Sequence, residues 1–523
     1  MLKYRLLLVG ILFLSLSRSQ MFELGSEKRY ARSVINMDDL LKMEGDLVRN
    51  LEKFVDLLSQ KARTIRWGIQ QMEEVHQTIN TGLSEFWANP FSSYSLIRHM
   101  QSDWLMWRQY LERPIGLEEL AYIVAKNSTM PQKNDFFDAA DGITKMQGTY
   151  QLLASDIANG LLDGVQYNSS LAAIDCLELG LDQMDQSHLT SAEQWILAGI
   201  KAYNRSSNQK EMQLLRGPKK AELYGTLGQV RRELEIFQEY HGLDRDVLNY
   251  PETEQTINKQ NDEEEAFVRS QLPSCCSGQC EVPRKLRKLY CLYNHVTAPF
   301  LRLAPIKTEI LSVDPFIVVL HDMVSPKESA LLRSSSKKNM IPSSVYHVAT
   351  KSHEVSTFRL SKFVLYNNSF NEATLKIAER LGDATGLDMN CTEVFQVMNY
   401  GLGGFFDTHM DLMLSRKDRF KGKPERMATT LIYLSDVLQG GATLFPKLNL
   451  TVFPKSGSAL FWYSFNTKGN AEMRTIHTGC PVIVGSKWVV SKWIYDKGQE
   501  FRRPCIDSNL NLKNTLSIEK III

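Results

Sequence analysis

The chain has no surplus of charge: Lys and Arg total 61 against 59 for Asp and Glu, a formal +2 across 523 residues. Without a global field, nucleic acid is not an expected partner. Long hydrophobic runs are also missing. The apolar stretch Leu6–Leu14 falls short of the ~18 residues a bilayer span requires, so no membrane-spanning segment is expected. Cysteine is scarce, at eight residues (176, 275, 276, 280, 291, 391, 480 and 505), too few for a disulfide scaffold. A zinc finger is disfavoured, because Cys275, Cys276 and Cys280 have no second cysteine or histidine pair at finger spacing. There is no HExxH helix of a zinc hydrolase and no Gly-Lys-Ser/Thr of a phosphate loop.

What remains is an ordinary globular composition, 43% hydrophobic and 23% charged, at a length that predicts about three domains. Lys3 and Arg5 precede the Leu6–Leu14 run, and small residues follow at Ser15, Ser17 and Ser19, the pattern of a secretory signal peptide over 1–19. Sequons begin at Asn127, Asn168, Asn204, Asn367, Asn390 and Asn449, in keeping with a secretory route, where some cysteines should pair.

From Met37 the apolar residues Leu40, Leu47, Leu51, Phe54, Leu58, Ile65 and Met72 recur at helical steps, predicting a long amphipathic helix with coiled-coil character. Its stripe must be buried in an intrachain bundle or against a second copy. Leu171–Met184, Ser191–Tyr203 and Ala221–Tyr240 read as consecutive antiparallel helices, with a faint tetratricopeptide echo near Tyr224–Gly228. Residues 251–274, which include the acidic run Asp262–Glu265, read as a linker. Beyond it, short β-rich runs at Phe316–Leu320, Val394–Tyr400, Thr429–Leu434, Ala459–Tyr463 and Trp488–Ile494 predict a sandwich or barrel. One helix is expected there from an Asn371 cap to about Gly382.

In this β region Gly401, Gly403 and Gly404 lead into His409-Met410-Asp411. Residues two apart in a strand share a face, so the imidazole and the carboxylate can reach one metal ion. His477 offers a third ligand, with Lys487 ten residues on. Two histidines and a carboxylate form the facial set that holds Fe(II) with open positions.

These residues carry a resemblance. The run Tyr400–Asp411, Arg426-Met427-Ala428-Thr429 through Tyr433, Gly440–Thr443, Phe461–Tyr463, His477–Val482, Gly485–Trp488 and Gly498–Cys505 resemble the catalytic domain of collagen prolyl 4-hydroxylase alpha subunits. The likeness continues upstream through Asp138–Leu152 and Cys176–Gly180. It implies a multidomain α plus β protein: an N-terminal helical dimerisation domain (20–135), a helical tetratricopeptide-like peptide-binding domain (136–250), the linker, a double-stranded β-helix dioxygenase domain (275–506) and a tail (507–523).

By the same resemblance His409, Asp411 and His477 hold iron. Lys487 receives the distal carboxylate of 2-oxoglutarate, with Tyr400 and Tyr433 as nearby hydrogen-bond donors. A buried ammonium needs such a partner. The implied reaction is 4-hydroxylation of peptidyl proline in collagen-like chains, with release of succinate and carbon dioxide and with L-ascorbate keeping the iron reduced. Protein disulfide isomerase is the implied partner, and because the chain ends in Ile521-Ile522-Ile523, that partner would supply the address for the lumen of the endoplasmic reticulum. A non-catalytic peptide-binding or assembly subunit is the alternative. The resemblance also implies a Cys480–Cys505 disulfide, and Cys291 is expected to pair with Cys275, Cys276 or Cys280.

One departure stands out. Where relatives carry a tyrosine-rich face for proline-rich peptide, this chain has His188-Leu189-Thr190-Ser191 before Trp195. Fewer aromatic faces predict weaker binding of long peptides, unless Trp195, Tyr203 or Tyr224 restores the surface.

Overall fold

The computed structural model describes residues 28–80, 86, 88–205, 217–241, 259–283, 290–347, 352–413, 424–466, 468–500 and 502. The signal peptide, the tail and Cys505 lie outside these residues. The chain forms two compact units, Asn36–Met130 and Met1–Ile35 with Pro131–Ile523.

In the first unit the periodic stretch becomes one helix, Ile35–Asn80. The shorter helices Pro90–Arg98, Trp104–Glu112 and Leu117–Lys126 follow it. They fold back on the long helix: a side chain at Gly68 would strike the Trp107 ring, and Gly116 lies against Phe54. Asn50 donates to the Glu119 carbonyl (2.9 Å), and Lys61 donates to the carbonyls of Leu111 and Arg113. Part of the amphipathic stripe is thus met within the chain, while Leu41, Val48, Leu51 and Val55 stay exposed.

The second unit opens its helical part with Lys133–Tyr150, and the three expected helices appear as Ala173–Asp185, Leu189–Arg205 and Lys220–His241. From Lys259 the expected linker is instead a helix, Lys259–Cys276. Its weak periodicity hid it, since Val268, Cys275 and Cys276 supply its buried face, Phe267 is exposed and residues 259–265 are all polar. No helix among the described residues is long and apolar enough to cross a membrane.

The β region is built on two large antiparallel sheets, beside two-stranded pairs of Ser344–His347 with Ser352–Val355 and of Gln439–Gly440 with Val482–Val484. One has nine strands, in the order Tyr290–Asn294, Ile306–Ser312, Ile317–Leu320, Ala459–Tyr463, Arg426–Tyr433, Trp488–Tyr495, Phe395–Tyr400, Ser361–Tyr366 and Ile341–Pro342. The other has four, in the order Phe406–His409, His477–Gly479, Thr443–Phe445 and Leu450–Val452. The two sheets form the double-stranded β-helix. Period-two alternation sorts the side chains: Leu460, Trp462 and Val489 join Phe445 and Leu450 on one face, whereas Phe461, Ala428 and Val490 join Ile377 and Leu381 on the other. The latter two belong to the helix Glu372–Thr385, which is capped by Asn371 as expected but ends at Gly386 (φ +72°) rather than near Gly382. A left-handed end suits glycine, and here that glycine is Gly386.

The cysteines correct two expectations. Cys480 is bonded to Cys276 (Cα–Cα 5.8 Å), not to Cys505, because the helix Lys259–Cys276 brings its last turn against the strand end at Cys480. Cys291 is an exposed free thiol on the strand Tyr290–Asn294, so it pairs with none of the three.

Candidate metal and co-substrate site

The strands Phe406–His409 and His477–Gly479 pair antiparallel with His409 opposite His477, which sets their ring centroids 4.3 Å apart. Asp411 follows two residues past the end of the first strand, and ligand atoms from all three residues lie within 4.8 Å of one another. Each histidine is oriented through its backbone-facing nitrogen. His409 Nδ1 donates to the Asp407 carbonyl (2.7 Å) and His477 Nδ1 to the Thr475 carbonyl (3.0 Å). A carbonyl only accepts, so Nε2 of each ring is the free ligand nitrogen. These nitrogens sit 3.9 and 3.8 Å from the Asp411 carboxylate.

Rings hold the imidazoles from behind: His409 stacks on Phe406 (3.6 Å between centroids), and His477 meets Trp462 (4.8 Å). Burial, then the neighbouring His477, pushes His409 down to about 3, so it is neutral and ready to ligate. Burial opposes ionisation of Asp411. The two imidazoles and Thr429, which donates to Asp411 Oδ2 at 2.6 Å, outweigh it and hold the carboxyl below its usual range.

A cavity with about 420 Å³ of empty volume opens here, lined among others by Arg359, Tyr400, Leu431, Thr443, Trp462 and Lys487. Lys487 is 2% exposed, and burial alone pushes its ammonium down to about 7. Its nitrogen lies 4.7 Å from the Tyr400 ring centre. Among the described residues no carboxylate or hydrogen-bond acceptor meets it, and a buried cation without a partner is costly. Both features fit the implied groups: the donor set suits Fe(II), and the ammonium suits a carboxylate of 2-oxoglutarate.

The two tyrosines divide. Tyr400 lines the cavity, and its hydroxyl is pushed up to about 12 by burial, so it stays protonated and able to donate. Tyr433 is fully buried, shares a 2.8 Å hydrogen bond with the Thr443 hydroxyl and does not line the cavity itself. The glycines before His409 have a packing role. A side chain on Gly401 would meet the Ala31 carbonyl, and Gly403 (φ +58°) lies against the backbone of Gly142.

Two family patterns match the chain: the prolyl 4-hydroxylase alpha-subunit N-terminal region over residues 33–164, and the 2OG-Fe(II) oxygenase superfamily over 395–495. The human prolyl 4-hydroxylase subunit alpha-1 is 29% identical over 512 residues, covering 91% of this chain and 96% of the relative. Over nearly its whole length the chain is similar to prolyl 4-hydroxylase alpha subunits. Subunit alpha-2 of Caenorhabditis elegans is likewise 29% identical, covering 90% and 92%. Among solved structures, the 2OG complex of a viral collagen prolyl hydroxylase from Paramecium Bursaria Chlorella virus-1 is 24% identical over 34% of this chain and 95% of that one, at a TM-score of 0.29.

Sequence reasoning missed two residues of this site. Arg359 brings a buried guanidinium to the cavity wall, 4.9 Å from the Phe406 ring centre. In the sequence Thr429 is only the end of the Arg426-Met427-Ala428-Thr429 run; in the structure its hydroxyl fixes Asp411. No local pattern announces either, since both act across strands distant in sequence.

Proposed function

We propose that the chain is the catalytic alpha subunit of a peptidyl-proline 4-hydroxylase that acts on collagen-like chains with Fe(II), 2-oxoglutarate and dioxygen, releasing succinate and carbon dioxide. The observation that carries this reading is the buried ammonium of Lys487 in one cavity with the His409, Asp411 and His477 donor set. A peptide-binding scaffold has no physical use for that combination, whereas a co-substrate with a second carboxylate neutralises the lysine. The bound iron and 2-oxoglutarate supply the oxygen-activating chemistry.

The chain's own side chains do the holding. His409 and His477 present Nε2, and Asp411 adds the negative charge. Thr429 and the two backbone carbonyls keep all three aimed at one point. Lys487, beside the Tyr400 ring, would receive the distal carboxylate of bound 2-oxoglutarate as a charged ammonium, which above about pH 7 requires it to take up a proton. Leu431, Met398, Trp462 and Trp493 wall the cavity with apolar surface that excludes bulk water.

The reading extends to proline-rich peptide on the helices within 136–250, L-ascorbate as reductant, protein disulfide isomerase as partner subunit and the lumen of the endoplasmic reticulum. Self-association runs through the N-terminal helices. The Cys276–Cys480 bond and the sequons favour an oxidising compartment. Trp195 does not restore the stacking surface: it is fully buried and donates to Gln147 (2.8 Å). Tyr224 is exposed and remains available. The test is co-expression with protein disulfide isomerase, followed by measurement of succinate formed in response to a Pro-Pro-Gly repeat peptide. Peptide-dependent succinate supports the enzyme; peptide binding without succinate supports the scaffold.

A further inference from the structure

The catalytic unit includes a short segment from the far N-terminus, Arg29–Val34, packed against residues 399–402. Tyr30, Ala31, Arg32 and Ser33 are all buried. Leu402 N–H donates to the Ala31 carbonyl (3.0 Å), and the Ser33 hydroxyl donates to Asn399 (2.6 Å). The segment therefore backs the Asn399–Leu402 stretch that carries Tyr400. Arg32, 4% exposed, uses the whole of its planar fork. Nε and Nη2 donate to both oxygens of Asp138 on the helix Lys133–Tyr150 (2.7 and 2.6 Å). Nη1 donates to the carbonyls of Ser356 (2.8 Å) and Arg359 (3.1 Å).

Those two carbonyls belong to a stretch between the strands Ser352–Val355 and Ser361–Tyr366 that has no regular ladder of its own. It touches the metal-ligand strand through the Phe358 carbonyl, which accepts from Asp407 N–H (2.9 Å), and through a single bridge between Arg359 and Phe406. Arg359 then turns its guanidinium to the cavity wall.

We infer that Arg32 is a positioning residue for the co-substrate cavity, its guanidinium fixing the Ser356–Arg359 backbone and so the wall that faces Lys487 and the metal ligands. The three ligands lie outside the Ser356–Arg359 stretch, which meets their strand only at Asp407 and Phe406, so co-substrate affinity should respond to Arg32 more than metal affinity does. The inference rests on reading this cavity as the 2-oxoglutarate site.

The experiment uses the full chain co-expressed with protein disulfide isomerase and loaded with Co(II), and measures the 2-oxoglutarate dissociation constant by calorimetry for wild type, Arg32→Ala and Arg32→Lys. Lysine keeps a cation beside Asp138 but lacks the fork that reaches two carbonyls. Loss of charge-assisted hydrogen bonds predicts roughly tenfold weaker 2-oxoglutarate binding in Arg32→Lys, exceeding any change in Co(II) affinity, in a chain still folded at the assay temperature. In turnover the KM for 2-oxoglutarate should rise with little change in kcat. Wild-type 2-oxoglutarate affinity in Arg32→Lys, or a fall in kcat at constant KM that merely tracks the folded fraction, overturns the inference. If Arg32→Ala does not fold, the lysine variant alone decides. A wild-type chain that binds Co(II) but no 2-oxoglutarate would overturn the reading of the cavity first, and is distinct from wild-type binding that Arg32→Lys leaves unaltered.

Discussion

The two compact units place their apolar residues in opposite ways. In the oxygenase sheets Ala428, Ile432, Leu460 and Val489 are fully buried, and the strands close their core within one chain. In Asn36–Met130 the long helix leaves Val48, Leu51 and Val55 about half exposed and Trp67 at 63%. Under the proposed self-association, this apolar surface would be the face that is covered. The difference teaches that catalysis and association are separable: a change inside the sheets should alter chemistry, and a change on the helix face should alter assembly alone.

The largest effect is expected from His477→Ala, which leaves two ligands in a site built for three. Turnover should vanish while the circular dichroism spectrum is kept, and retained turnover with bound iron would break the metal assignment. Next is Lys487→Met. Removing a charge-assisted contact from a buried carboxylate site should raise the KM for 2-oxoglutarate roughly a hundredfold, with the metal shell intact.

The same residue sets a pH dependence whose sign follows from its lowered pKa. Below about 7 the free site already carries the proton that the carboxylate needs. Above it the proton must be taken up on binding, so the dissociation constant should rise by up to about tenfold per pH unit. Stability of the unliganded protein moves the other way, increasing from about pH 7 toward 10.5 as the folded side chain loses its proton before the unfolded one does. Both slopes should flatten in Lys487→Met, in calorimetric titration and in chemical denaturation respectively.

Thr429→Val removes the hydroxyl that fixes Asp411 and should weaken Co(II) binding about ten- to a hundredfold, a typical cost of losing an outer-shell partner. Cys276→Ser opens a disulfide that spans 204 residues of sequence and should lower stability by roughly 2–4 kcal/mol in denaturant titration. Last, Leu51→Glu with Val55→Glu should leave kcat/KM within about twofold, since exposed positions far from special features perturb little. The sedimenting mass should fall. Loss of turnover in that pair would break the separation of the two units.

The candidate ligand pair and the lysine were legible because their pattern is local: His-x-Asp spans three residues, and Lys487 stands beside a recognisable strand. The strands themselves were legible from apolar runs bounded by turn residues. What lay hidden was set by distant pairing. Arg359 sits in an unremarkable Phe-Arg-Leu-Ser stretch, and only the bridge to Phe406 brings it to the cavity. The partner of Cys480 depends on where the helix Lys259–Cys276 ends in space, which spacing does not encode. Arg32 lies more than a hundred residues from Asp138 and more than three hundred from Ser356, so no window of sequence joins them. Trp195 looked like a stacking surface by composition and is a core residue by packing.

The most direct test of the central claim is hydroxylation of a Pro-Pro-Gly repeat peptide under isotopically labelled dioxygen, with peptide and succinate both weighed by mass spectrometry. The account predicts one labelled oxygen on a proline ring, located at C4 by NMR, and one in succinate, in equal amounts and dependent on Lys487. Succinate that forms at the same rate without peptide, or a peptide that binds and gains no oxygen, would contradict it.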